Sequence, residues 1–105
     1  MPLRLVSLDG HADISLGGAV LLVGRHPRCD VRIASPRVSR RHCCLAPDRD
    51  GVLVRDLGST NGTRINGRRV EEGVLHPGDE LSIADSRYRL EGHSGCRAAA
   101  RQSPA

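Results

Sequence analysis

Short apolar runs separated by turn-forming residues occupy the chain from Leu3 to Leu90. Leu3 to Leu8 alternates well enough for a strand, and Asp9-Gly10 supplies a turn. Ala12 to Leu16 reads as a second short strand, ended by Gly17-Gly18. Ala19 to Val23 is wholly apolar, which predicts a buried strand. Beyond Pro27, Asp30 to Ile33 alternates and Ser35-Pro36 turns the chain. Val38 and the stretch from Arg41 to Leu45 resume extended structure, and Pro47 to Gly51 forms a loop. Val52 to Leu57 alternates again, with Val52, Val54 and Asp56 on one face.

Thr63 to Ile65 and Arg68 to Val70 flank Asn66-Gly67, the signature of a type I′ hairpin. His76-Pro77-Gly78-Asp79 makes a further turn, and Glu80 to Ala84 with Arg87 to Leu90 make the last pair of strands. No helical period runs long enough to define a helix. Many short strands with frequent turns predict an all-β sandwich. From Gly92 onward the chain is Gly, Ser, Ala and Arg without pattern, so residues 1–91 are expected to form the domain and 92–105 a disordered tail.

Composition sharpens this picture. A chain of 105 residues is one domain by size. Tyr88 is its single aromatic residue, so the core must be built from Leu, Val, Ile and Ala. No run reaches membrane-spanning length, and the N-terminus lacks the apolar stretch and cleavage site of a signal peptide. A soluble cytoplasmic domain with no membrane association is expected. The cysteines are Cys29, Cys43, Cys44 and Cys96, and their spacing defines no disulfide framework. Cys43 and Cys44 are adjacent on a strand, so one should point inward and one outward.

All 16 basic residues are arginine. Biased codon usage suffices to explain that, but their placement says more. Between Gly24 and His42, six arginines (Arg25, Arg28, Arg32, Arg37, Arg40, Arg41) face the single acid Asp30, a net +5 in a chain of net +4. An anionic partner is expected at this stretch.

Three polar segments carry groups suited to holding a phosphate. Gly24-Arg25 ends a strand, where a guanidinium can offer two N–H groups to two oxygens. Ser39-Arg40-Arg41-His42 adds a hydroxyl donor and further charge. His42, at the start of a strand beside loops that must be fixed, fits a structural role through its ring nitrogens. In Asp56-Leu57-Gly58-Ser59-Thr60-Asn61-Gly62-Thr63, glycines permit close backbone approach, Thr60 can donate to phosphate, and Asn61 can meet both the N–H and the C=O of an extended peptide.

In order and spacing, Gly24-Arg25, Ser39-x-x-His42 and Thr60-Asn61-Gly62 resemble the forkhead-associated (FHA) family, and the Asp-Leu-Gly-Ser-Thr-Asn-Gly-Thr run has the family's form. Asn66-Gly67 and Gly78-Asp79 match further framework positions. The resemblance implies a sandwich of about eleven strands with binding loops at one end. It implies a phosphothreonine-peptide site in which Arg25 and Ser39 hold the phosphate, Arg40 and Thr60 assist, and Asn61 holds the peptide backbone. Gly24, His42 and Gly62 become architectural. It further implies a phosphothreonine-containing partner protein, a Ser/Thr kinase upstream, no cofactor, and a preference for threonine through a small pocket for its γ-methyl.

Other readings are weighed on the same residues. Ser39 and His42 could be a nucleophile and a base, yet no third orienting group is evident, and no P-loop or kinase signature occurs. Nucleic-acid binding suits the basic stretch, but the chain lacks an aromatic platform for bases and a helix for a groove. Phosphate-independent protein binding through the basic loops also stays open. Cys29, His42, Cys43, Cys44 and His76 contain a zinc-type donor set without a paired Cys-x-x-Cys knuckle, so no metal is expected. The loops Pro27 to Pro36 and Pro47 to Gly51 are expected to set selectivity. Arg28, Arg32 and Arg37 suggest acidic residues beside the phosphothreonine, and solvated surface charge accounts for them equally well.

Overall fold

Period-two alternation sorts the side chains into an inner and an outer layer, and two sheets result. The computed structural model describes residues 3–48 and 51–92. The sequence-predicted tail therefore lies, apart from Gly92, outside the described residues. The strands are β1 (Arg4–Ser7), β2 (Ile14–Ser15), β3 (Leu21–Gly24), β4 (Val31–Arg32), β5 (Cys43–Pro47) and β6 (Val52–Asp56). They continue as β7 (Thr63–Ile65), β8 (Arg68–Arg69), β9 (Glu72–Leu75), β10 (Glu80–Ile83) and β11 (Ser86–Glu91). A six-stranded sheet has the order β2-β1-β11-β10-β7-β8, and a five-stranded sheet β4-β3-β5-β6-β9. Eleven strands and no helix among the described residues bear out the all-β sandwich.

The inner layer is aliphatic. Leu5, Leu81 and Leu90 of one sheet meet Val23, Leu45, Val52 and Val54 of the other, all excluded from water, with Tyr88 between them. Full burial of each such side chain contributes about 1.5–3 kcal/mol. Cys43 points inward and Cys44 is half-exposed, as strand alternation requires.

Some boundaries move. Strand β9 escapes the sequence pattern because it is an edge strand with one buried side chain, Leu75, and Val74 is 37% exposed. An edge strand of that kind carries no apolar alternation. The Ala19–Val23 run is not wholly buried: Val20 is 62% exposed and the strand starts at Leu21. Ala12–Leu16 contracts to the two residues of β2, and Pro47 pairs with Val52 as the last residue of β5 rather than opening the loop. The Asn66-Gly67 hairpin forms, with Asn66 at φ 52°.

The antiparallel registers bring one set of strand ends together. The C-terminal ends of β3, β6 and β10 and the N-terminal ends of β5, β7 and β11 share one end of the sandwich. The loops 25–30, 33–42 and 57–62 and the Ala84-Asp85 turn emerge there, joined across the sheets by the Ser35 hydroxyl donating to Asp85 Oδ1 at 3.0 Å and the Ala84 N–H donating to the Gly62 carbonyl at 3.1 Å.

Candidate functional site

The first segment is stitched to the second by main-chain bonds. Arg25 N–H donates to the Ser39 carbonyl (2.9 Å), His26 N–H to the Arg40 carbonyl (3.1 Å) and His42 N–H to the Val23 carbonyl (2.8 Å). Gly24 makes that approach possible, because a Cβ there would stand 2.1 Å from the Arg40 carbonyl oxygen. Cys29 lies beneath the same carbonyl and donates its thiol proton to it at 3.2 Å.

Arg25 is exposed, yet its guanidinium is oriented: Nε donates to the Val38 carbonyl at 3.0 Å. Neither terminal nitrogen bonds a described residue, so both can meet two oxygens of an anion. Arg32 Nε donates to the Arg25 carbonyl at 3.1 Å, and Arg25, Arg32, Arg40 and His26 line one shallow depression beside Pro27 and Ala34.

His42 is fully buried and joins the second and third segments. Its Nδ1 lies 3.1 Å from the Ser39 N–H, which can only donate, so Nδ1 accepts. Nε2 therefore carries the proton and donates to the Gly62 carbonyl at 2.8 Å. The imidazole is fixed in one tautomer by backbone groups of Ser39 and Gly62, which belong to two different loops. Both nitrogens are occupied, which leaves none to deprotonate Ser39. Ser39 Oγ accepts from Thr60 N–H at 3.1 Å and keeps its own proton to donate outward.

Asp56 organises the third segment. Its carboxylate accepts from Gly58 N–H (2.7 Å), Ser59 N–H (2.8 Å), Thr63 Oγ1 (2.7 Å) and the Ser59 hydroxyl. Ser59 is buried, and its oxygen in turn accepts from Gly62 N–H at 3.1 Å. Burial pushes the Asp56 carboxyl up, but the Ser59 and Thr63 hydroxyls and the two N–H donors outweigh it and hold the value below the usual one. The sequence signal for Asp56 is its place on the inward face of β6, in phase with Val52 and Val54. A carboxylate there needs several donors, and the next loop provides them.

Asn61 adds a difference from the sequence reading. Its Nδ2 donates to the Arg37 carbonyl at 2.6 Å, tying the third loop to the second, while Oδ1 accepts no bond among the described residues. The side chain thus clamps two loops and presents one acceptor. Thr60 is exposed, with its main chain on Ser39. Arg25, Ser39, Arg40, Thr60 and Asn61 all stand at the loop end, with Gly24, His42 and Gly62 beneath them. Gly62, at φ +87°, turns its carbonyl to His42 and Ala84.

The zinc-type donors do not gather, and no group of three or more potential ligands occurs among the described residues. His42 is occupied, Cys44 faces outward, and His76 stands at the far end of β9. Burial first, then the Asp56 carboxylate, push the Cys43 thiol up to about 12. One feature escapes the sequence: strand alternation gathers Arg4, Arg64, Arg69, Arg87 and Arg89 on the outer face of the six-stranded sheet, against Glu80 and Glu91. Positive charge is therefore not confined to the loop end.

An eleven-stranded, two-sheet sandwich with these loops gathered at one end defines the class. The FHA domain model matches residues 21–84, and the chain belongs to the FHA family. It is 37% identical over 98 residues to the proliferation marker protein Ki-67 of Homo sapiens, covering 87% of this chain and 3% of that protein. It is 39% identical over 75 residues to the glycogen accumulation regulator GarA of Mycobacterium tuberculosis, covering 71% of this chain and 45% of GarA. The chain thus spans less than half the length of these relatives. Among solved structures, an FHA domain studied for phosphothreonine-dependent interactions superposes with a TM-score of 0.80 at 31% identity, covering 89% of this chain and 98% of that one. The FhaA FHA domain, complexed with the intracellular domain of Rv3910, gives 0.77 at 31%, covering 85% and 99%.

Proposed function

We propose that the domain is a non-catalytic module that binds phosphothreonine peptides, in a partner protein phosphorylated by a Ser/Thr kinase. One observation carries the reading: Arg25, held through Nε, and Ser39, held through its oxygen, keep their outward donors free side by side above a buried, fully bonded frame. Charged hydrogen bonds of this kind contribute about 1.5–3 kcal/mol each. Arg40 and Thr60 supplement them, and the free Oδ1 of Asn61 accepts from the peptide backbone. The commitment of both His42 nitrogens to backbone groups supports binding without catalysis.

Signalling in the cytoplasm fits the free thiols of Cys29, Cys43 and Cys44. A pull-down with a phosphothreonine library, with and without phosphatase treatment, tests the reading; equal recovery in both would overturn it. The arginine face of the six-stranded sheet favours a second reading, nucleic-acid binding. A salt series with duplex and single-stranded DNA separates the two, because binding through that face would not compete with phosphopeptide.

A further inference from the structure

A groove opens along the side of the sandwich where β2 and β4, the edge strands of the two sheets, face each other. Ile14, Leu21, Val31 and Ile33 form its apolar walls, and Asp13 and Asp30 stand among them. Tyr88 lines it from within the core: the residue is 1% exposed, and its hydroxyl has no hydrogen-bond partner among the described residues. Asp9 and Asp13 lie close enough to act, after burial, on that hydroxyl and push its ionisation upward.

The two groove carboxylates are each half engaged. Asp13 Oδ1 accepts from Ser7 N–H at 2.8 Å, and Asp30 Oδ2 accepts from Leu22 N–H at 2.8 Å. No described residue bonds the other oxygen of either. The basic side chains at the groove are His11 and Arg32, and Arg32 Nε is directed to the Arg25 carbonyl, toward the phosphate side. The groove lies next to the arginine-lined depression, and Arg32 and Ala34 line both. Aliphatic walls, spare carboxylate oxygens and an unpartnered phenol suit a side chain with a long apolar stem and a charged donor at its tip.

We propose that this groove takes a lysine or arginine side chain of the bound phosphopeptide, a few residues from the phosphothreonine. The proposal rests on the reading of Arg25 and Ser39 as the phosphate site. It assigns selectivity to the β2–β4 side, and it assigns to that side a preference opposite to the acidic one that Arg28, Arg32 and Arg37 suggest.

Two measurements test it. In the first, lysine is walked through alanine-flanked phosphothreonine peptides within about four residues of the phosphate on either side, a span set by the extended-chain rise. One position should bind at least fivefold tighter than the alanine parent, and the ratio should fall to about one in the Asp13→Asn/Asp30→Asn double variant. Asparagine retains the acceptor for Ser7 and Leu22. No preferred position, or a preference that survives the double variant, overturns the proposal. In the second, N-acetyl-lysine methylamide is titrated while the emission of Tyr88, the single aromatic residue, is followed. A saturable change in the wild type that is absent in the double variant supports the groove, and no change in the wild type overturns it. If no peptide binds through its phosphate, the phosphate-site reading fails and the second measurement alone decides the groove.

Discussion

Arg25 Nε donates to the Val38 carbonyl at 3.0 Å, and this bond aims the guanidinium fork outward. Lysine has the charge but not the fork, and it cannot both hold Val38 and present two donors. Arg25→Lys should therefore weaken phosphothreonine-peptide binding at least tenfold, about 1.4 kcal/mol, with Arg25→Ala no better. Because Arg25 is exposed, thermal stability should stay within about 0.5 kcal/mol of wild type. Calorimetric titration of the three proteins with one phosphopeptide checks both statements.

Asn61 Nδ2 donates to the Arg37 carbonyl, and in the proposed complex Oδ1 accepts from the peptide. Asn61→Ala should lower phosphopeptide affinity by about five- to tenfold, close to one lost hydrogen bond. Folding stability should change little, since the residue is exposed. Affinity and melting temperature measured on the same preparation separate the two effects.

Gly24 has a steric requirement that can be measured. A methyl group there would meet the Arg40 carbonyl oxygen at 2.1 Å, so the segment carrying Ser39 and Arg40 must move. Gly24→Ala should destabilise by about 1–3 kcal/mol, the usual range for overpacking, and weaken phosphopeptide binding too. Gly17→Ala, with nothing within 4 Å of the added methyl, is the matched control and should stay within about 0.5 kcal/mol of wild type. Urea unfolding of both variants compares them.

Asp56 links pH to the third loop. Its carboxyl value is lowered in the folded state, so its contribution is complete above the unfolded value of about 3.9 and is lost as pH falls through the lower folded value. Asp56→Asn should destabilise by about 1–3 kcal/mol near neutral pH, through donors left without an acceptor. The gap between wild type and variant should be flat from about pH 7 to pH 5 and narrow below about pH 4. Denaturant melts across that range read the gap directly; a constant gap into acid would show that the carboxylate charge contributes nothing.

The strands that alternate were legible in the chain. Val52, Val54 and Asp56 share the inward side of β6, and Asn66-Gly67 forms its hairpin. Strand β9 was not, because an edge strand burying Leu75 alone leaves no periodic trace. The three short segments singled out in the chain meet at one end of the sandwich, and His42 is the buried connection between their loops that its position suggested. The tether from Asn61 to Arg37 spans 24 residues and depends on how two loops pack, which local spacing does not encode. The outer arginine face has the same origin: Arg64 and Arg87 lie far apart in the chain and flank Ser82 only through the strand register.

The central claim is that Arg25 and Ser39 together read a phosphate. Titrating matched peptides, phosphorylated and unphosphorylated on one threonine, against wild type and Arg25→Ala tests it most directly. The account predicts saturable binding of the phosphopeptide alone, weakened at least tenfold by the substitution. Equal affinity for the two peptides, or equal affinity of the two proteins for the phosphopeptide, would contradict it.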